Sequence, residues 1–146
     1  MLTMNMGNRR SRTAKETSHR RSYGIFLSHS NNDEWLAGVI AEKIEAAGIK
    51  VWLDEMSLAG GESVTNAVIR GIRNSDEAVV LVSNQSLRSQ WVAAEIGMAM
   101  AVKKRITPLL NNVDEDAMAP LKGVKSYELN RFDKFFGELK QRAVKR

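Results

Sequence analysis

Apolar and polar positions along this chain switch repeatedly between a two-residue and a 3.6-residue period. Tyr23-Gly24-Ile25-Phe26-Leu27-Ser28 is a short apolar run of β-forming residues, the pattern of a buried strand. His29 to Asn32 is polar, and Ser30, Asn31 or Asn32 can cap a helix starting there. From Asp33 to Ala47 the residues Leu36, Val39, Ile40, Ile44 and Ala47 recur at helical spacing, and Gly48 stands where a helix ends in a left-handed turn. Ile49 to Leu53 predicts a second strand. Asp54 to Gly61 predicts a loop closed by Gly60-Gly61, and a helix comes next from about Glu62 to Asn74 with Val64, Val68 and Ile72 inward. Ala78 to Val82 is apolar throughout, as a strand covered on both faces must be. After the polar stretch Ser83 to Arg88 comes a helix from about Trp91 to Val102. Ile106 to Leu110 predicts a fourth strand, in which Pro108 removes a ladder donor and argues for a bulge or an edge. The acidic stretch Asp114-Glu115-Asp116 and Pro120 lead to a weak fifth strand, Lys125 to Leu129. A last helix from about Phe132 is expected to bury Phe132, Phe135, Phe136 and Leu139.

This alternation implies an α/β fold: a flavodoxin-like three-layer sandwich, with a five-stranded, mostly parallel sheet and helices on both faces. Ligands of such sheets bind outside the carboxyl ends of the strands. Ser28 to Asp33, Asp54 to Gly61 and Ser83 to Glu95 should therefore share one rim.

The helix that begins near Trp91 changes the picture most. It carries a single carboxylate, Glu95, among Val92, Ala93, Ala94, Ile96, Met98, Ala99 and Met100. Trp91 and Glu95 are four apart and share a face, while Val92, Ile96 and Met100 form a neighbouring stripe suited to a core contact. An acid in that position either meets a basic partner, with Arg70, Arg73 and Arg88 the candidates, or lies open at the rim and acts on a ligand.

Composition narrows the chemistry. The 146 residues, 43% hydrophobic and 27% charged, are ordinary for one globular domain. Without cysteine there is no disulfide, thiolate nucleophile or Cys-based zinc site, and two histidines are too few for a dedicated transition-metal centre. No apolar run is long enough to span a membrane, and no signal-peptide core opens the chain, so a cytoplasmic location is expected. The net charge of +5 is local: six of the 22 basic residues but one of the 17 acidic residues precede Tyr23. Residues 1–22 thus read as a disordered basic tail ahead of a domain at 23–146. The neutral remainder argues against a nucleic-acid partner. The glycine-rich turn of dinucleotide-binding folds, a Walker loop and the paired acids of phosphoacceptor domains are all missing from their expected places.

Several ordered motifs resemble those of TIR (Toll/interleukin-1 receptor) domains. Phe26-Leu27-Ser28-His29-Ser30-Asn31-Asn32-Asp33 is similar to the family's first box, and Trp52-Leu53-Asp54 with Leu58-Ala59-Gly60-Gly61 to its second. Ser83, then Ser89-Gln90-Trp91 with Glu95-Ile96, resembles the Ser-x-Trp-Cys-x-x-x-Glu-Leu signature, with Val92 replacing Cys, and Ile106-Thr107-Pro108-Leu109 the Pro-containing fourth strand. The likeness covers roughly residues 22–140.

The resemblance implies one of two functions. Enzymatic members cleave the nicotinamide–ribose bond of NAD, which is substrate and not cofactor, giving ADP-ribose or a cyclised form; Glu95 then holds the position of the essential carboxylate. One acid suffices, because nicotinamide leaves as a neutral base and needs no general acid. No cofactor or metal is expected. Ser28, His29, Asn31, Asp33 and Trp91 become candidate substrate contacts, although capping suits Asn31 and Asp33 equally and Trp91 can simply pack its helix. Trp52 can stack on a ring or fill the core. Asp54 would belong to a loop, Asp54 to Gly61, that covers the site and mediates assembly with itself or other TIR domains. A nucleotide product would signal to a separate effector in defence. The second implied function is a non-catalytic interaction module using the same loop and the Trp91 helix. A deoxyribosyltransferase-like enzyme of this architecture, which also uses a glutamate, is a third.

Overall fold

The structure is a computed structural model that describes residues 21–53, 61 and 63–145. The expected tail at 1–22, apart from its last two positions, and Asp54 with nearly all of its loop lie outside the described residues. Five strands, β1 (Gly24–Ser28), β2 (Lys50–Leu53), β3 (Glu77–Val82), β4 (Arg105–Leu110) and β5 (Tyr127–Glu128), form one sheet in the order β2-β1-β3-β4-β5. Every pairing is parallel. This is the flavodoxin-like order, and its connections reverse direction between β1 and β3.

Strand alternation divides the core in two. Phe26, Ala78, Val80 and Val82 face helices α2 (Val64–Asn74) and α3 (Gln90–Ala101), meeting Val68, Ile72, Val92, Ile96 and Ala99. Ile25, Leu27, Val79 and Leu81 face α1 (Glu34–Glu45) and α4 (Phe132–Val144), meeting Ala37, Ile40, Ile44, Phe135 and Leu139. On α2, Gly71 lets the helix sit close over β1, since a Cβ there would lie 3.4 Å from the Phe26 ring.

Helix ends agree with the sequence in part. Ser89 caps α3 by accepting from the Val92 N–H at 3.1 Å, and Ser63 caps α2 by accepting from Asn66 at 3.2 Å. Gly48 takes the expected left-handed conformation, φ +82°. Before α1 the expected cap is not made. Residues Asn31–Asp33 form a 3-10 turn instead, and the Ser30 hydroxyl donates to the Asp33 carboxylate.

The helical faces keep Ile40, Ile44, Val68, Ile72, Val92 and Ile96 buried as expected but are turned slightly from their expected centres. On α1 the buried stripe is Ala37, Ile40, Ala41 and Ile44, leaving Leu36 and Val39 half-buried and Ala47 exposed. On α2 Val64 is exposed, and on α3 Met100 is exposed while Glu95 joins Val92, Ile96 and Ala99 inside. Small residues explain the rotation: alanine and glycine let a helix approach the sheet more closely than a larger neighbour would.

Pro108 sits in β4 without a bulge, for β3 and β4 pair in unbroken register from Glu77↔Arg105 to Val82↔Leu110. The Asn111 N–H donates to the Val82 carbonyl, which turns the odd-numbered positions of β4 toward β3 and the even ones outward. β5 covers only Leu109 and Leu110. The missing proline N–H therefore falls on the outer side, where no ladder bond is lost.

At the amino end of the sheet, Glu77 is a buried carboxylate in a closed set of partners. Arg142 Nε and Nη2, from the last turns of α4, donate to its two oxygens at 2.9 and 2.8 Å, and the Tyr23 hydroxyl donates to Oε2 at 2.5 Å. Burial, with the adjoining Glu77 charge, pushes the Tyr23 phenol up to about 12 from 10.0. A phenol raised in the folded state favours folding while it stays protonated. That contribution is whole below pH 10 and is lost as pH rises from 10 toward 12. An absorbance titration should find one of the two tyrosines ionising near pH 12. The fall in melting temperature across that window should be smaller in Tyr23→Phe.

Candidate active site

β1 ends where the strand order reverses, and the period of two places Ser28 on the same face as Phe26, toward α3. Glu95 lies in the second turn of α3, on its buried side between Val92 and Ala99. The two meet: Ser28 Oγ donates to Glu95 Oε1 at 2.7 Å, the length of a hydroxyl bonded to a carboxylate. This contact joins the first-strand motif to the Trp91–Glu95 motif, which lie 67 positions apart in the chain.

Glu95 is not open at the rim, one of the two expectations for it; it is 1% exposed. The rotation of α3 that turns Met100 outward carries Glu95 inward. The other expectation is a clamp by Arg70, Arg73 or Arg88. The ion pairs among the described residues are Arg21–Asp76, Lys125–Glu138 and Arg142–Glu77, and none of them joins Arg70, Arg73 or Arg88 to Glu95. A carboxylate this deep is costly to hold unless hydrogen bonds meet it, and Ser28 supplies one.

Beside this contact a second link ties the loops together. Asp33 Oδ2 accepts from Ser30 Oγ at 2.8 Å and from Ser83 Oγ at 2.5 Å. Ser83 and Ser86 close a small ring of their own: Ser83 N–H donates to Ser86 Oγ at 2.7 Å, Ser86 N–H to Ser83 Oγ at 3.1 Å, and Ser86 Oγ to the Ser83 carbonyl at 3.1 Å. The loops after β1 and after β3 are thereby locked to each other across the crevice. Asp33 is thus an anchor of this link and not a helix cap.

His29 is buried beside Ser28. Its Nδ1 lies 2.9 Å from the Ser30 carbonyl, which can only accept, so Nδ1 carries the proton. Nε2 has no hydrogen-bond partner among the described residues. Asn31 is exposed at the 3-10 turn. Trp91, one turn before Glu95, is half-buried against the α2–α3 core. Trp52 packs against that same core, with Lys50 Nζ 4.0 Å from its ring centre, which favours the packing role over stacking on a ligand.

Ser30, Ser83 and Ser86 were not singled out as site residues by the sequence. Their signal is a run of small hydroxyl residues directly after an apolar strand, at Ser28-His29-Ser30 and again at Ser83 to Ser86. Among the described residues no group of three or more His, Cys, Asp or Glu side chains is arranged to hold a metal ion. No described helix is long and apolar enough to cross a membrane.

Comparison with known proteins identifies the family and the fold. The family model described as the TIR domain matches residues 25–141. The NAD(+) hydrolase TcpA of a Theionarchaea archaeon is 25% identical over 124 residues, 77% of this chain and 38% of that protein. The 2' cyclic ADP-D-ribose synthase AbTIR of Acinetobacter baumannii is 28% identical over 99 residues, 64% of this chain and 37% of that protein. The chain thus spans well under half the length of these curated relatives. The TIR domain of the Toll-related receptor TRR-2 from Hydra magnipapillata superposes with a TM-score of 0.69 at 19% identity, covering 86% of this chain and 100% of that one, a likeness of fold. With its first-strand and α3 motifs in contact and the family match running from β1 into α4, the chain belongs to the TIR domain family.

Proposed function

We propose that this TIR domain cleaves the nicotinamide–ribose bond of NAD, with Glu95 as the catalytic carboxylate and no cofactor. The observation that carries this is the Ser28–Glu95 contact at the strand-order reversal, which brings one oriented carboxylate to the end of β1. The activities in the names of TcpA and AbTIR support it. In the proposed step the bond between ribose C1′ and the nicotinamide nitrogen breaks, and its electron pair leaves with the ring. Nicotinamide becomes neutral while positive charge moves onto C1′ and the ring oxygen. A fixed carboxylate beside that charge lowers the barrier. Water adding to C1′ with loss of a proton yields ADP-ribose; a hydroxyl of the same molecule adding there yields a cyclic product.

Ser28 holds Oε1 in place, and the Asp33–Ser83 link keeps the β1 loop against the site. His29 Nε2 is placed to hydrogen-bond a ribose hydroxyl. Trp91 and Asn31 are proposed to border the substrate. Because Glu95 is buried, substrate entry requires side chains to move, and assembly with another TIR domain through the Asp54 to Gly61 loop is proposed to supply that step. A nucleotide product acting on a separate effector, in the cytoplasm, completes the proposal.

The same burial favours a second reading, a non-catalytic TIR–TIR interaction module in which Glu95 is a structural carboxylate satisfied within the fold. Incubating the protein with NAD across a range of protein concentrations, and monitoring nicotinamide by chromatography, separates the two. Release of nicotinamide is the expected result. Its absence at every concentration, including those where the protein self-associates, leaves the interaction module.

A further inference from the structure

Away from the Ser28–Glu95 crevice, at the amino ends of β4 and β5, a cleft of about 540 Å³ opens between the end of α3, the 118–125 connection and α4. Its volume is within the range of small-molecule sites. Three independent features of its lining belong together.

The first is backbone. Ile106 lines the cleft on the outer side of β4, and β5 begins only opposite Leu109. By the alternation along β4 its N–H and C=O point away from β3, on the side where no strand among the described residues pairs with them. A peptide strand is a poor occupant, because Pro108, the next outward position, has no N–H to continue the ladder. A planar ring with an adjacent acceptor and donor, such as the edge of a nucleobase, needs only that single pair.

The second is charge. Lys104 and Arg105 precede Ile106 in the lining, and neither has an acidic partner among the described ion pairs, whereas Lys125 and Arg142 are matched by Glu138 and Glu77. Lys104 Nζ donates to the Arg73 carbonyl at 3.2 Å, and an ammonium with three donors keeps two for an anion. The third is apolar surface. Met100 and Val124, two of the few exposed large hydrophobic residues described, are 49% and 40% exposed and border this same cleft from different segments.

We infer that this cleft binds a nucleotide: its base lies between Met100 and Val124 with its polar edge on the Ile106 backbone, and its phosphate rests on Lys104 and Arg105. The inference does not depend on NAD cleavage at Glu95.

The test is a titration of the full chain, with ¹³C-methyl-labelled methionine, against AMP, adenosine and inorganic phosphate in parallel. Met100→Leu assigns the reporting signal. AMP is expected to shift the Met100 methyl with a Kd below about 1 mM. Adenosine or phosphate alone should bind at least about tenfold more weakly, and Arg105→Glu should weaken AMP by a similar factor, as loss of a charged hydrogen bond does. Arg105 is exposed, so this variant should fold, and its unchanged methyl spectrum without ligand verifies that. Glu95→Gln should bind AMP as the wild type does. The inference is overturned if AMP leaves Met100 unmoved, if Arg105→Glu binds equally well, or if phosphate alone matches AMP, which would mark a simple anion patch.

Discussion

Glu95→Gln is expected to lower nicotinamide release from NAD at least about a hundredfold while leaving the protein folded. Removing a fixed group that stabilises transition-state charge typically costs that much in kcat. Glutamine has the size and shape of glutamate, and its carbonyl oxygen can still accept from Ser28 at the position Oε1 now occupies. The new amide NH2 needs acceptors in a buried setting, at a cost of about 1–3 kcal/mol. Glu95→Ala is the poorer probe, since it opens a void beside Val92, Ile96 and Ala99 and strips Ser28 of its acceptor as well. Turnover and thermal melting should be measured on the same preparations. A Glu95→Gln protein that melts near wild type and keeps its turnover removes Glu95 from catalysis.

Arg142→Met is expected to cost about 3–5 kcal/mol of stability, the usual penalty for leaving a buried charge without its partner. Glu77 is 1% exposed, and losing Arg142 removes two of the three bonds made to its oxygens by Arg142 and Tyr23. For a domain of this size the melting temperature should fall by roughly 10–20 °C. Glu77→Gln in the Arg142→Met background should recover part of the loss, because a neutral amide is easier to bury than an unpaired carboxylate. If urea unfolding of Arg142→Met shows a loss of less than about 1 kcal/mol, the size of an exposed ion pair, the contact is incidental and not a clamp.

The sheet was the most legible part of the chain. Continuous apolar runs at Ile25 to Leu27 and Ala78 to Val82 can only be strands covered on both sides, and their alternation with helical periods leaves few topologies. Helix faces were less legible, because hydrophobic spacing favours the largest side chains. The contacts were decided instead by Ala37, Ala41, Ala67 and Gly71, whose small size sets how near each helix can come. That rotation is also why the position of Glu95 was legible but its depth was not. The Ser30–Asp33–Ser83 link could not be read at all: its halves are separated by 50 positions, and each half alone resembles ordinary loop polarity. Glu77 escaped for a simpler reason, as a charged residue at the edge of an apolar run looks like the end of a strand, whereas β3 begins there.

The all-parallel order also governs how the chain must reach this state. No two neighbouring strands can be joined by a tight turn, so each pairing waits for an intervening segment to be ordered first. β1 meets β3 only after α1, β2 and α2 have been traversed. Closing such large loops before any reward slows the search, and refolding should be slower than for a helical bundle of equal length.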